Sequence, residues 1–582
     1  MSGLSASSWL RAFVPAACWV LAAGLHPAAA IAPGEVEGLF FSDSATLTWQ
    51  VEPQAATYNV YRGYLADLSA TFYGTTFAGD LPDPTLNDPT VPPAGWGFFY
   101  LVTAANADGE GTLGYRREAG GATRERENGY PWPGRAVAGR WDGLSEWPGV
   151  AIHAVLLHTG GVLFWAGGKP TPTWVWDPVT ENFDASSNPT DLFCAGHTAL
   201  ADGRIFVAGG TTTGFGGGRW ASTFDPVTQE WQRIPRDMIK GRWYPTTITE
   251  ADGRVLVFSG NDADEVLNPY VERFLPGGSP WWEVLNPIRF VQLYPRMHLM
   301  PDGQVLHVGP EPDTYLFDPV SESWNFVTTS AYDSRGNGTS VLLPPGYEQV
   351  LIVGGARSED EAATATAEIL DLSAPAPTWR STAPTHFGRV HANVVILPDG
   401  TVLLAGGGRD WEITTYASEI YDPAAETWTV VASQKSFRLY HSTALLLPDG
   451  RVVWAGSTTG CPVPGEGQCE NATSEIYSPG YLFRGPRPEI AAAPQAVGYG
   501  ETFTIDTPDA DRVMKVVFIR PGSVTHSVNM EQRYIPLTFS GSGTSLQATA
   551  PSNANIAAPG FYMLFLVDGD GVPSKAPFVQ LR

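Results

Sequence analysis

Through the middle of the chain the apolar positions fall in short blocks, not in long helical stripes. Two blocks flank each of five Asp-Gly pairs, which begin at Asp202, Asp252, Asp302, Asp399 and Asp449. Four pairs open nearly the same phrase: DGRIFVAGG, DGRVLVFSG, DGTVLLAGG and DGRVVWAG. DGQVLHVGP is a weaker copy. The pattern predicts a strand, a tight turn in which glycine takes positive φ, and a second strand. Successive pairs are 50, 50, 97 and 50 residues apart. The long interval conceals a degenerate unit, LLPPGYEQVLIVGG. Another, LLHTGGVLFWAGG, precedes the first pair, so the units number seven.

Each unit closes on a second signature: VWDPVTENF, TFDPVTQEW, RFLPGGSPWW, LFDPVSESW, ILDLSAPAPTW, IYDPAAETW and IYSPGYLF. It reads as strand, Asp/Pro-type turn, aromatic. Glycine pairs let backbones crowd near an axis, and the aromatic wedges between neighbouring sheets. A period near 50 with these features reads as kelch repeats, and seven of them predict a seven-bladed β-propeller over residues 140–483.

The flanks differ. Residues 34–117 carry alternating segments such as ATLTWQV and ATYNVYRG, which predict a β-sandwich resembling a fibronectin type III domain. Residues 118–139 read as a charged, turn-rich linker. Residues 485–582, with VMKVVFIR and GFYMLFLVD, predict an immunoglobulin-like sandwich. The expected fold class is all-β throughout.

Residues 1–30 resemble an export signal: Arg11, the apolar run AFVPAACWVLAAGL, then PAAA. An N-terminal anchor is the alternative. No later apolar run is long enough to span a bilayer, so the mature chain is expected to be secreted, extracellular or periplasmic. The net charge of −25 and pI near 4.7 would repel phosphate backbones and argue against a nucleic-acid partner. Removal of the signal takes Cys18 with it and leaves Cys194, Cys461 and Cys469. Cys461 and Cys469 share one Gly/Pro-rich loop and are expected as a disulfide in an oxidising compartment. Cys194 is left over; its plainest role is a buried thiol acting as a small hydrophobe.

Residues in one register on different blades should converge where the innermost strands open around the axis. Eight positions before each Asp-Gly aspartate stand Cys194, Tyr244, Tyr294, His391 and His441. Each can ligate a metal or do acid–base or redox work. Tyr440 stands one step before His441. Imidazole nitrogens with phenolate oxygens suit Cu(II) in a tetragonal site. A covalent bond between the Cys194 sulfur and the Tyr244 ring would account for the odd thiol and make the ring easier to oxidise.

From roughly residue 140 onward the chain resembles the copper radical oxidases, the galactose oxidase and glyoxal oxidase family. DLFCAGHTALADG resembles the segment holding that family's cross-linked cysteine, and KGRWYPTTITEADGRVLVFSG the segment of its tyrosine partner. FRLYHSTALLLPDGRV resembles the Tyr-His ligand pair, and GSVTHSVNMEQRYIPL the segment with the last histidine. The resemblance implies one copper ion held by Tyr244, Tyr440, His441 and His526, a Cys194–Tyr244 thioether-linked tyrosyl radical, and Tyr440 as axial proton acceptor. It also implies the Cys461–Cys469 disulfide. Tyr294, His391 and His197 are candidates to line the channel or support the ligands. The implied reaction takes a small primary alcohol or aldehyde, the aldehyde as its hydrate, and O2 to an aldehyde or acid plus H2O2. The N-terminal module is a candidate for polysaccharide contact.

The chain departs from galactose oxidase where a tryptophan would stack on the cross-linked tyrosine, since Asp262 aligns there. Trp243 is adjacent in sequence, but strand alternation would aim it away from Tyr244. A function from another class, a non-catalytic glycan-binding or adhesion protein, uses the same propeller and fibronectin-like modules.

Overall fold

The computed structural model describes residues 134–286, 288–460 and 469–582. Before these it describes 39–42, 45–52, 55–65, 74–88, 90, 97–106, 109–110, 115–117 and 123–125. The expected export signal, much of the expected linker and Cys461 lie outside the described residues. The chain divides into two compact units, one ending at Trp132 and one beginning at Pro133. In the first, Phe40–Phe41, Thr46–Thr48 and Thr85–Asn87 form a three-stranded sheet. Thr75–Leu81, Thr57–Tyr64, Phe98–Asn106 and Gly109–Glu110 form a four-stranded one. No helix among the described residues is long and apolar enough to cross a membrane.

The second unit is a propeller joined to a sandwich. Seven antiparallel blades, here I to VII, start from the strands His153–Leu156, Gly196–Ala199, Thr246–Thr249, Met297–Leu299, Thr339–Leu342, Val390–Ile396 and Thr443–Leu446. Each pairs with the strand after its hairpin. The Asp-Gly turns work as their chemistry predicts. Gly203, Gly253, Gly303, Gly400 and Gly450 take φ of 90°, 83°, 90°, 94° and 80°. Each aspartate accepts the N–H two residues on, at 3.0–3.1 Å. Aromatic wedges fill the gaps between sheets: Val155, Trp165, Val207 and Phe224 share a core with Trp231 packed on it.

Blade VII closes the ring. Its outer strand is Arg140–Trp141, which pairs with Thr473–Ser478. A segment before the first repeat thus covers the edge that the last repeat would leave unpaired.

The C-terminal strands form a sandwich around Phe503, Phe518, Ile535, Leu546, Tyr562 and Leu564. Between its strands Val513–Arg520 and Arg533–Ser542 a loop enters the propeller. Within it, Ser523–Thr525 pairs antiparallel with blade I, His153 opposite Thr525. The loop is anchored at its root by a buried Arg520–Glu531 ion pair of 2.5 Å, and Arg520 also donates to the Ala199 carbonyl at 3.0 Å.

Candidate metal centre

The shared register has a backbone cause. Cys194, Tyr244, Tyr294, His391 and His441 take φ of 61°, 67°, 44°, 58° and 69°. Asn337 fills the same place in blade V at 55°. Left-handed backbone costs a non-glycine residue about 1–2 kcal/mol. Hydrogen bonds between blades offset this: Tyr244 N–H to Cys194 C=O at 2.9 Å, Tyr294 to Tyr244 at 2.8 Å, His391 to Asn337 at 2.7 Å. The left-handed turn breaks strand alternation, so a residue and its predecessor face the axis together. Tyr440 stacks on His441 with ring centroids 3.7 Å apart. Trp243 stacks on Tyr244 at 3.8 Å and 18°.

That stack corrects the expectation for Trp243. It covers the tyrosine instead of pointing away, because Tyr244 is not in extended conformation. Asp262 accepts from Lys240 Nζ at 2.7 Å and from the Asp264 and Val266 amides. It holds a loop and leaves the ring face to the indole.

Beneath this ring lies a row of buried arginines. Arg242 donates to the Ser259 and Tyr270 carbonyls and to Glu272. Arg438 donates to the Gly456 and Thr473 carbonyls and to Glu475. Arg389 and Arg335 pair likewise with Glu419 and Glu368. Each arginine stands two or three residues before a left-handed position and ties it to the next strand.

His526 comes from the inserted loop. Its ring lies 4.5 Å from that of His441 and 4.6 Å from that of Tyr244, and its Nε2 is 3.6 Å from Cys194 Sγ. Thr525 Oγ1 donates to the Ile152 carbonyl, so toward His526 Nδ1, 2.5 Å away, it can only accept. His526 therefore carries its proton on Nδ1 and leaves Nε2 bare. His441 Nδ1 bonds Thr458 Oγ1 at 2.8 Å, and its Nε2 is buried without a partner. The Tyr244 and Tyr440 hydroxyls bond each other. The donor atoms of Cys194, His441 and His526 lie within 4.8 Å of one another. Burial lowers His441 to about 3 and His526 well below the usual range, so both imidazoles are neutral. Burial pushes the Cys194 thiol and the Tyr244 and Tyr440 phenols up.

All five residues expected at the centre thus meet. Tyr294 packs 4.4 Å from the Tyr244 ring and donates to the Ala195 carbonyl. His391 lies 4.9 Å from Tyr440 and 4.2 Å from Trp411, its Nε2 buried and unpartnered. His197 lies deeper, bonded to His153 and Ser523. Cys469 is disulfide-bonded. An open cleft of about 960 Å3, lined among others by Trp243, Tyr244, His391, Trp411, Tyr440 and His526, leads to the centre. Sequence reasoning missed His153, Thr458, Thr525 and Trp411. It also missed the arginines, although their repeated place in GRWY, GRVH and FRLYH was a readable signal.

Fold and centre together define a β-propeller protein with two neutral imidazoles, two phenols and a thiol converging on its axis. The glyoxal oxidase N-terminus model matches residues 173–476, and the galactose oxidase-like early set domain matches residues 487–581. A galactose oxidase of Gibberella zeae is 29% identical over 78% of this chain and 71% of its own. The aldehyde oxidase GLOX1 of Arabidopsis thaliana is 27% identical over 75% and 78%. A fungal alcohol oxidase solved in complex with copper superposes with a TM-score of 0.69 at 27% identity, covering 76% of this chain and 99% of that one. The chain belongs to the galactose oxidase and glyoxal oxidase family of copper radical oxidases.

Proposed function

We propose that the protein is an exported copper radical oxidase that converts a primary alcohol, or an aldehyde as its hydrate, and O2 into an aldehyde or acid and H2O2. The observation that carries this reading is the convergence of His441 Nε2, His526 Nε2 and the Tyr244 and Tyr440 oxygens, with Cys194 beside Tyr244. Two nitrogens and two oxygens suit Cu(II). The orphaned Nε2 of His441 is the kind of buried atom that a metal ion would satisfy. Thr458 and Thr525 hold both imidazoles by their far nitrogens, which fixes each ring for ligation.

When bound, copper supplies a Lewis acid and one of two electron-accepting centres. The other steps belong to the chain. The cleft admits the substrate to the face where Tyr440 and Tyr244 meet. Tyr440, which lines the cleft with its hydroxyl against that of Tyr244, takes the substrate hydroxyl proton as general base when it is a phenolate. Tyr244, linked to Cys194 and oxidised by one electron, takes a hydrogen from the adjacent carbon. The substrate loses two electrons and two protons, and dioxygen leaves with both as H2O2. Trp243 covers one face of the oxidised ring.

The test is peroxide release by copper-reconstituted protein against a panel of primary alcohols, aldehydes and hexoses. The reading expects turnover that chelation abolishes and copper restores. Absence of peroxide across the panel from copper-loaded protein would count against it.

A further inference from the structure

Below Cys194 runs a chain of buried hydrogen bonds that none of the chemistry above uses. Cys194 N–H donates to His153 Nε2 at 3.0 Å. His153 Nδ1 meets His197 Nε2 at 3.1 Å, and His197 Nδ1 meets Ser523 Oγ at 2.5 Å. Ser523 Oγ lies 2.8 Å from the His197 carbonyl, to which it donates. His153, His197 and Ser523 are all fully buried.

The proton positions follow in order. A serine has one hydrogen, and this one goes to the carbonyl. Ser523 Oγ therefore accepts from His197 Nδ1–H. His197 Nε2 is then bare and accepts from His153 Nδ1–H. His153 Nε2 is bare in turn and accepts the Cys194 amide. Neither ring can change tautomer without leaving a buried donor facing a donor, which costs about 1–3 kcal/mol. Burial, which lowers His197 to about 3, keeps that ring neutral and supports the assignment. The His153 ring is also clamped flat against Trp165, centroids 4.8 Å apart at 4°.

Two consequences meet at Cys194. Its C=O accepts from Tyr244 N–H at 2.9 Å while its N–H is held by His153, so its left-handed backbone is fixed on both sides. The far end of the chain, Ser523, belongs to the same inserted loop as His526.

We propose that His153, His197 and Ser523 are positioning residues for the Cys194–Tyr244 bond, coupling the seating of the His526 loop to the aim of the Cys194 sulfur. The proposal rests on the cross-link in the function proposed above. The bond replaces the Cys194 S–H and one ring C–H of Tyr244 with a C–S bond. The two electrons and two protons released go to dioxygen, giving H2O2, with copper present. A thiol held toward the ring reaches that geometry without a search, and small misplacements of reacting groups are costly.

The test follows linked Cys194–Tyr244 peptide by mass spectrometry after aerobic Cu(II) loading, with copper affinity titrated separately. His153→Phe keeps a ring on Trp165 and removes the acceptor. His153→Gln returns an acceptor near the Nε2 position. Ser523→Ala cuts the far end. His153→Phe and Ser523→Ala should link about ten- to hundred-fold more slowly, the expected effect of leaving a buried donor unpaired. Linking is compared at saturating copper, set from each variant's own titration, and His153→Gln should recover most of the rate. In the metal-free protein, the Cys194 peptide should exchange amide hydrogen faster in the two slow variants. Linking by His153→Phe at the unsubstituted rate overturns the positioning role. If that variant is recovered unfolded, the Ser523→Ala rate decides by the same criterion. No linked peptide in the unsubstituted protein would instead remove the cross-link itself, and this proposal with it.

Discussion

Trp243 offers the sharpest quantitative test of the centre's electronics. Its indole lies 3.8 Å from the Tyr244 ring at 18°, while Asp262 is tied to Lys240 and two loop amides. Aromatic pairs of this kind contribute about 0.5–1.5 kcal/mol beyond area burial. An electron-rich indole face favours the oxidised ring, so Trp243→Ala should make Tyr244 harder to oxidise. If the whole stacking energy is differential, the one-electron potential rises by about 20–65 mV, at about 59 mV per 1.36 kcal/mol. The same change opens the ring face to the cleft, so the oxidised form should also decay faster. The assay is a redox titration of copper-loaded protein followed by radical absorbance and electron paramagnetic resonance. Trp243→Phe keeps a stacked ring and should shift less; Asp262→Asn should not shift at all. A Trp243→Ala potential equal to that of the unsubstituted protein, or an Asp262→Asn shift of the same size, would refute the assignment of the stacking role to Trp243.

Four further outcomes follow from the geometry. Tyr440→Phe should keep copper and the thioether but lose about 10²–10⁴ in kcat, the usual weight of a positioned acid–base group; a loss of only a few-fold would remove its role as base. His391→Phe should raise KM more than it lowers kcat, since its ring lines the cleft beside Tyr440; an unchanged KM would argue against a part in holding substrate. Glu475→Gln should lower the unfolding free energy by about 3–5 kcal/mol by leaving buried Arg438 uncompensated; calorimetry on the two proteins checks it. Burial holds His298 at about 3, against an unfolded value near 6.5. Its proton is bound on unfolding, so its contribution to stability is full above about pH 6.5 and falls as pH drops toward 3, by about 1.4 kcal/mol per unit. His298→Gln should flatten the acid limb of stability against pH by one proton, and an unchanged slope would show that His298 is not the group involved.

Much of this architecture was legible because the repeat of about 50 residues is a local signal. Asp-Gly and Asp-Pro turns need particular backbone angles, so they mark every hairpin of every blade that carries them. Counting back from those turns found Cys194, Tyr244, Tyr294, His391 and His441, because a fixed hairpin length puts each at the same depth. The count could not see that all five are left-handed, and that one fact decides the pairs. It turns Trp243 onto Tyr244 and lets Tyr440 and His441 face one centre. His526 was legible only through resemblance, since nothing periodic foretells a loop that leaves a sandwich and adds a strand to blade I. The closure of blade VII by Arg140–Trp141 and the acceptor role of His153 were hidden for the same reason. Both are long-range pairings, set by where the chain returns and not by what surrounds it in sequence.

The central claim is that segments from blades II, III and VII and from the C-terminal sandwich assemble one copper site with a sulfur-bridged tyrosine. Peptide mass spectrometry of aerobically copper-loaded protein tests it most directly. The account predicts one peptide pair joining Cys194 to Tyr244, two hydrogens lighter than its parts and absent from protein kept metal-free. Recovery of both as separate, unmodified peptides after full copper loading would contradict it.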